Sequence, residues 1–159
     1  MQIEIPIRPH VKTYLTHPDV FGPEAIQVRK NSYLGRVIIG LLSQYPLDDC
    51  DWGEGFKPLP ILTGVTLSVA CSFPLRTELV TDDNLIRLGH ILEDYFENGL
   101  ISFVKGRMDR LPSLQGSVKR FYEIFQINPE HYDYDAAFKL VRRQQLRSLS
   151  TPAKRLQAA

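Results

Sequence analysis

Between Val65 and Phe73 the chain alternates strictly. Val65, Leu67, Val69, Cys71 and Phe73 are apolar, and Thr66, Ser68, Ala70 and Ser72 are small or polar. Side chains two apart share one face of an extended chain, so the pattern is that of a strand with one buried and one open face. Such a strand needs a hydrogen-bonded neighbour. Residues 2–7 supply a candidate, because Ile3, Ile5 and Ile7 alternate with Gln2, Glu4 and Pro6. Pro6 lacks an N–H to donate, which places this second strand at an edge.

The remaining apolar residues follow helical spacing. Pro9 suits the first turn of a short helix through Leu15. Asn31-Ser32 can cap a helix to about Gln44, with Leu34, Val37, Ile38, Leu41 and Leu42 as its stripe. Gly35 and Gly40 weaken that helix unless another element packs closely there. Thr81-Asp82-Asp83 opens a long helix striped by Leu85, Leu88, Leu92, Tyr95 and Phe96, its first-turn carboxylates facing the positive end of the dipole. Asn98-Gly99 ends it, bends it, or is passed through until Pro112. Ser113 caps the next helix, with Val118, Phe121, Tyr122 and Phe125 on one face, and Asn128-Pro129 breaks it. Asp133 or Asp135 then caps a last helix carrying Ala137, Phe138, Leu140 and Val141. Ala25–Arg29 fits helix and strand equally.

The expected fold class is therefore α+β: a mostly helical single domain over residues 1–150, with a small antiparallel sheet or hairpin and a C-terminal helical pair. Residues 151–159 are expected to form a flexible basic tail. At 159 residues, with 43% hydrophobic and 23% charged side chains, the chain is long and apolar enough to bury a core without staples. Residues 45–60 hold three prolines, two glycines and three aspartates, which reads as a long loop. The start of the chain shows no basic segment followed by an apolar one, and no apolar run is long enough to cross a bilayer. A cytoplasmic location and no membrane contact are expected.

Motifs of catalysis and metal binding are not evident. Cys50 and Cys71 are too few for a disulfide framework or a thiolate zinc site. Cys71 falls on the apolar side of its strand and reads as a small core residue. His10, His17, His90 and His131 show no four-residue pairing of the kind that binds zinc, and each reads as a surface or half-buried side chain. The acidic stretch from Asp48 to Glu54 lacks the spacing of a calcium loop. There is no glycine-rich phosphate loop and no Gly-x-Ser-x-Gly elbow. No enzyme activity, metal or cofactor is expected. A catalytic site assembled from Asp48, Asp51, Glu54 and a histidine would require the long loop to fold into a pocket.

Charge is the most informative feature. From Lys139 onward there are six basic residues and no acidic one, whereas residues 1–138 hold eighteen carboxylates against thirteen Lys and Arg. The net charge of +1 thus divides into −5 and +6. The last helix carries Lys139, Arg142, Arg143, Gln144, Gln145 and Arg147. Together with the aromatic helix before it, this suggests a helix-turn-helix-like unit. Lys139, Arg142, Arg143 and Arg147 would contact phosphates, and Gln144 and Gln145 would read base edges. The linking turn is longer than usual and lacks glycine, and Asp133 and Asp135 would repel phosphate at the helix start. A helical hairpin with a solvated basic end is the plainer alternative.

The opening Ile3-Glu4-Ile5-Pro6-Ile7-Arg8-Pro9-His10-Val11-Lys12-Thr13-Tyr14-Leu15 resembles the start of short proteins encoded by phages and mobile elements of Bacteroidetes. The run Phe121 to Arg143 is similar to their ends. The two stretches cover about a quarter of the chain. The resemblance implies a part in the control or replication of a mobile genome. The expected function is a small nucleic-acid-binding or regulatory protein. The alternative is an interaction or assembly module, in which the basic end meets an acidic protein partner or the 48–54 loop of a second copy, or the 65–73 strand adds to another sheet edge.

Overall fold

The computed structural model describes residues 1–42, 64–110 and 113–150. The expected loop at 45–60, its acidic stretch, Cys50 and the tail at 151–159 lie outside the described residues. The elements are β1 (Gln2–Ile7), α1 (Pro9–Leu15), β2 (Ile26–Val28), α2 (Tyr33–Leu42), β3 (Val65–Cys71), a short 3-10 turn (Thr77–Leu79), α3 (Asp82–Met108), α4 (Leu114–Phe125) and α5 (Tyr134–Ser150). The class is α+β and mostly helical, as the sequence indicates. The chain divides into two compact units, one ending at Phe96 and the other beginning at Glu97.

The first unit is built on a three-stranded sheet of order β1-β3-β2. β1 runs antiparallel to β3, with Ile3 opposite Val69, Ile5 opposite Leu67 and Ile7 opposite Val65. This register puts all three isoleucines on the face that carries Leu67, Val69 and Cys71. All of these except the half-buried Val65 are buried. A one-residue slip would turn the whole set to solvent. The short segment that fitted helix and strand equally becomes β2. It pairs parallel to β3, Ile26 opposite Val69 and Val28 opposite Cys71. The sheet is therefore mixed rather than purely antiparallel. β3 is its central strand, paired with β1 from Val65 to Ala70 and with β2 from Val69 to Cys71.

Helices cover the apolar face. In α1 His10, Val11, Tyr14 and Leu15 are buried, and in α2 Leu34, Ile38 and Leu42 are. From α3 the first unit receives Leu88, Leu92 and Phe96. Each buried Leu, Ile or Phe side chain contributes about 1.5–3 kcal/mol relative to exposure. Ser32 caps α2, accepting from the Gly35 N–H at 3.0 Å while donating to the Arg29 carbonyl at 2.7 Å. A Cβ on Gly35 would sit 2.0 Å from that carbonyl oxygen, so the Arg29–Ser32 turn lies directly against the helix. On the other flank Glu24 accepts from the Ser68 N–H at 3.0 Å and pairs with Lys12 at 2.9 Å. Lys12 also donates to the Thr66 carbonyl at 2.9 Å.

In the second unit, α3 passes Asn98-Gly99 without a break. Ser113 caps α4 by accepting from the Gly116 N–H at 3.0 Å. Phe103, Phe121 and Phe125 form an aromatic cluster with ring centres 4.6 to 6.3 Å apart. α4 ends at Gln126, whose φ of 55° is left-handed. Asp133 rather than Asp135 caps α5, its carboxylate accepting from the Asp135 N–H at 3.2 Å.

Candidate nucleic-acid interface

The outward face of α5 follows from its inward one. Ala137 and Val141, four apart, are fully buried and fix which side of the helix faces the core. At about 100° per residue, Arg142, Lys139, Arg143 and Arg147 fall on an arc of about 140° centred opposite that side. All four are exposed. Among the described residues, no ion pair involves Lys139, Arg142 or Arg143. The basic residues singled out in the sequence thus form one outward surface, and three of them carry charge not neutralised by a described carboxylate.

Gln144 and Gln145 are placed differently. Both are half-buried and flank the inward side of the helix. The Gln145 amide donates to the Met108 sulfur at 3.2 Å. They do not share the cationic face.

The preceding helix is fixed to the start of α5 by hydrogen bonds and ring contact. The Tyr122 hydroxyl donates to the Tyr132 carbonyl at 2.8 Å. Its ring lies 4.6 Å from that of Tyr134. Burial, and then the neighbouring Tyr132, Tyr134 and Asp133, push the Tyr122 phenol well above its ordinary pKa. The connection between the helices is the eight residues from Gln126 to Asp133. That is longer than the three or four of a helix-turn-helix unit. Within it the Asn128 side chain accepts from the Glu130 N–H at 2.9 Å, forming an Asx turn. A recess of about 330 Å³ between the start of α4 and α5 is lined by Leu114, Gln115, Asp135, Phe138, Lys139 and Arg142. Its walls join two cations to an apolar floor, with Asp135 toward the helix start.

Cys71 is buried, and burial raises its thiol pKa, which fits a core residue and not a nucleophile. His17 and His90 are half-buried and His131 is exposed. His10 departs from the expectation of a surface or half-buried side chain: it is 1% exposed, with its ring edge-on to Phe96 at 5.0 Å. Its place in the stripe His10, Val11, Tyr14, Leu15 was the available signal. Among the described residues, no three His, Cys, Asp or Glu side chains converge to hold a metal ion, and no helix is long and apolar enough to cross a membrane. A row of rings in the first unit has no counterpart in the sequence pattern. Tyr95 stacks on Phe21 at 5.3 Å and 22°, and meets the tilted ring of Tyr33 at 5.3 Å and 32°.

No protein-family model matches the chain, and no significantly similar curated protein or solved structure is found.

Proposed function

We propose that the protein binds nucleic acid through the outward face of α5, and that it is a small cytoplasmic regulatory protein of a phage or mobile element that carries out no catalysis. The observation that carries the binding is the exposed row of Lys139, Arg142, Arg143 and Arg147, three of them without a described carboxylate partner. Cations of this kind displace condensed counterions from phosphates, and the released ions drive association. Contacts are to the backbone, because the start of α5 is acidic and its glutamines lie off the cationic face. The phage or mobile-element setting rests on the resemblance of Ile3–Leu15 and Phe121–Arg143.

The test is a titration of labelled duplex and single-stranded oligonucleotides at several salt concentrations. Four phosphate contacts give a slope of log affinity against log salt of about −3 to −4. Absence of salt-sensitive binding to either form overturns the proposal.

A second reading has its own observation. The first unit holds twelve carboxylates against eight Lys and Arg, and the second eleven Lys and Arg against six carboxylates. Net charges of −4 and +5 would draw copies together head to tail, or draw the basic unit to an acidic protein. Light scattering at low and high salt checks this. A monomer at both, with no acidic partner bound, removes it.

A further inference from the structure

Tyr33 opens α2 and keeps 49% of its surface exposed, one of two large apolar side chains so open among the described residues. Its ring is not an isolated surface group. It is backed by Tyr95, which is stacked on Phe21. Tyr95 also meets Tyr14 at 6.4 Å, and Tyr14 packs edge-on against the fully buried Phe96 at 5.4 Å. Rings from three separate segments thus support one half-open tyrosine from the core outward. The support limits the motion of the outer ring, so little is lost in ordering it on binding.

The residues that flank Tyr33 along the chain are cationic. Arg29 and Lys30 stand in the turn that Gly35 lets press onto the first turn of α2, and Arg36 is one turn along the helix from Tyr33. All three are exposed, and among the described residues none takes part in an ion pair. Between Ala25 and Leu47 there are three basic residues and no acidic one, in the half of the chain that is otherwise acidic. A supported aromatic ring with flanking cations that have no ion pair among the described residues suits a ligand that joins a flat π-system to phosphate.

We propose that Tyr33, backed by Tyr95 and Phe21, stacks an unpaired base of a single-stranded nucleic acid while Arg29, Lys30 and Arg36 hold the adjoining phosphates. The inference rests on the nucleic-acid reading above and specifies the strand form: α5 holds phosphates of any form, and Tyr33 requires an unstacked base. A duplex keeps its bases paired and stacked, so the platform adds nothing to duplex affinity.

The experiment compares fluorescence anisotropy titrations of an oligothymidylate and a duplex of equal length on the full chain. Tyr33→Ala weakens the oligothymidylate by about 5- to 150-fold and leaves the duplex unchanged, while Tyr33→Phe keeps affinity for both. Lys30→Glu combined with Arg36→Glu also weakens the single strand selectively. That pair of changes provides the readout should Tyr33→Ala impair folding. Equal losses on both oligonucleotides, or no loss in either variant, overturn the stacking site. If salt-sensitive binding of the wild type persists in those cases, the α5 reading stands. No binding of either oligonucleotide by the wild type overturns both.

Discussion

The phenolic hydroxyl of Tyr122 donates to the backbone carbonyl of Tyr132 across ten residues of chain, at 2.8 Å. This bond holds the end of the α4–α5 connection against α4 and so sets where the basic helix begins. Tyr122→Phe removes the donor to that carbonyl, which should cost about 0.5–1.5 kcal/mol in chemical denaturation. The wild type should also lose stability in alkali. The folded phenol has a raised pKa. Above pH about 10 the unfolded chain releases this proton and the folded chain keeps it. The contribution is therefore complete below that pH and is lost as pH rises toward the folded value. Tyr122→Phe should have a shallower decline, with the remainder due to groups such as Tyr14, which burial also raises.

The two glycines of α2 should respond to alanine with opposite signs. A Cβ at Gly35 would meet the Arg29 carbonyl oxygen at 2.0 Å, and that oxygen is backbone already held by Ser32. Gly35→Ala should destabilise by about 1–3 kcal/mol. Among the described residues nothing lies within 4 Å of a Cβ on Gly40, so Gly40→Ala should stabilise by about 0.5–1 kcal/mol through helix propensity. Denaturant midpoints measured side by side check both, and equal shifts would contradict the close approach of the turn.

At acid pH the relevant carboxyl is Glu24. The hydrogen bond from the Ser68 N–H, and then that from Lys12, hold its pKa below the usual carboxylate range. Its contribution to stability is present above the unfolded value of about 4.3 and is lost as pH falls through the lower folded value. The difference in stability between wild type and Glu24→Gln should be constant near neutrality and should shrink in acid. A difference that does not change with pH would mean that neither the Ser68 hydrogen bond nor the Lys12 pair favours the charged carboxylate in solution.

Local rules made much of this fold legible. β3 and β1 show period-two alternation because each buries one face. Ser32, Ser113 and Asp133 cap the helices that their positions suggest. What escaped depends on partners far along the chain. β2 has three residues, too few for a period, and it becomes a strand because the β3 edge beside it is open for parallel pairing. Phe21, Tyr33 and Tyr95 form no pattern in sequence, since three segments bring them together. The basic row of α5 was legible because charge patterning survives without tertiary knowledge. The turning of Gln144 and Gln145 toward the core side was not, because it depends on which face Ala137 and Val141 bury.

That placement separates the two kinds of polar residue on α5. Arg142→Ala combined with Arg143→Ala removes two exposed cations without touching Ala137 or Val141. It should lower affinity for all oligonucleotide sequences alike, reduce the salt slope by about two, and shift stability by less than about 0.5 kcal/mol. Gln144→Ala should leave affinity, salt slope and sequence preference as they are. Gln145→Ala should do the same for binding but lose a little stability with its contact to Met108. Titrations against a panel of oligonucleotides of fixed length, in parallel with denaturation curves, distinguish the outcomes. A change in sequence preference on replacing either glutamine would mean that α5 turns its flank to the bases and reads them directly.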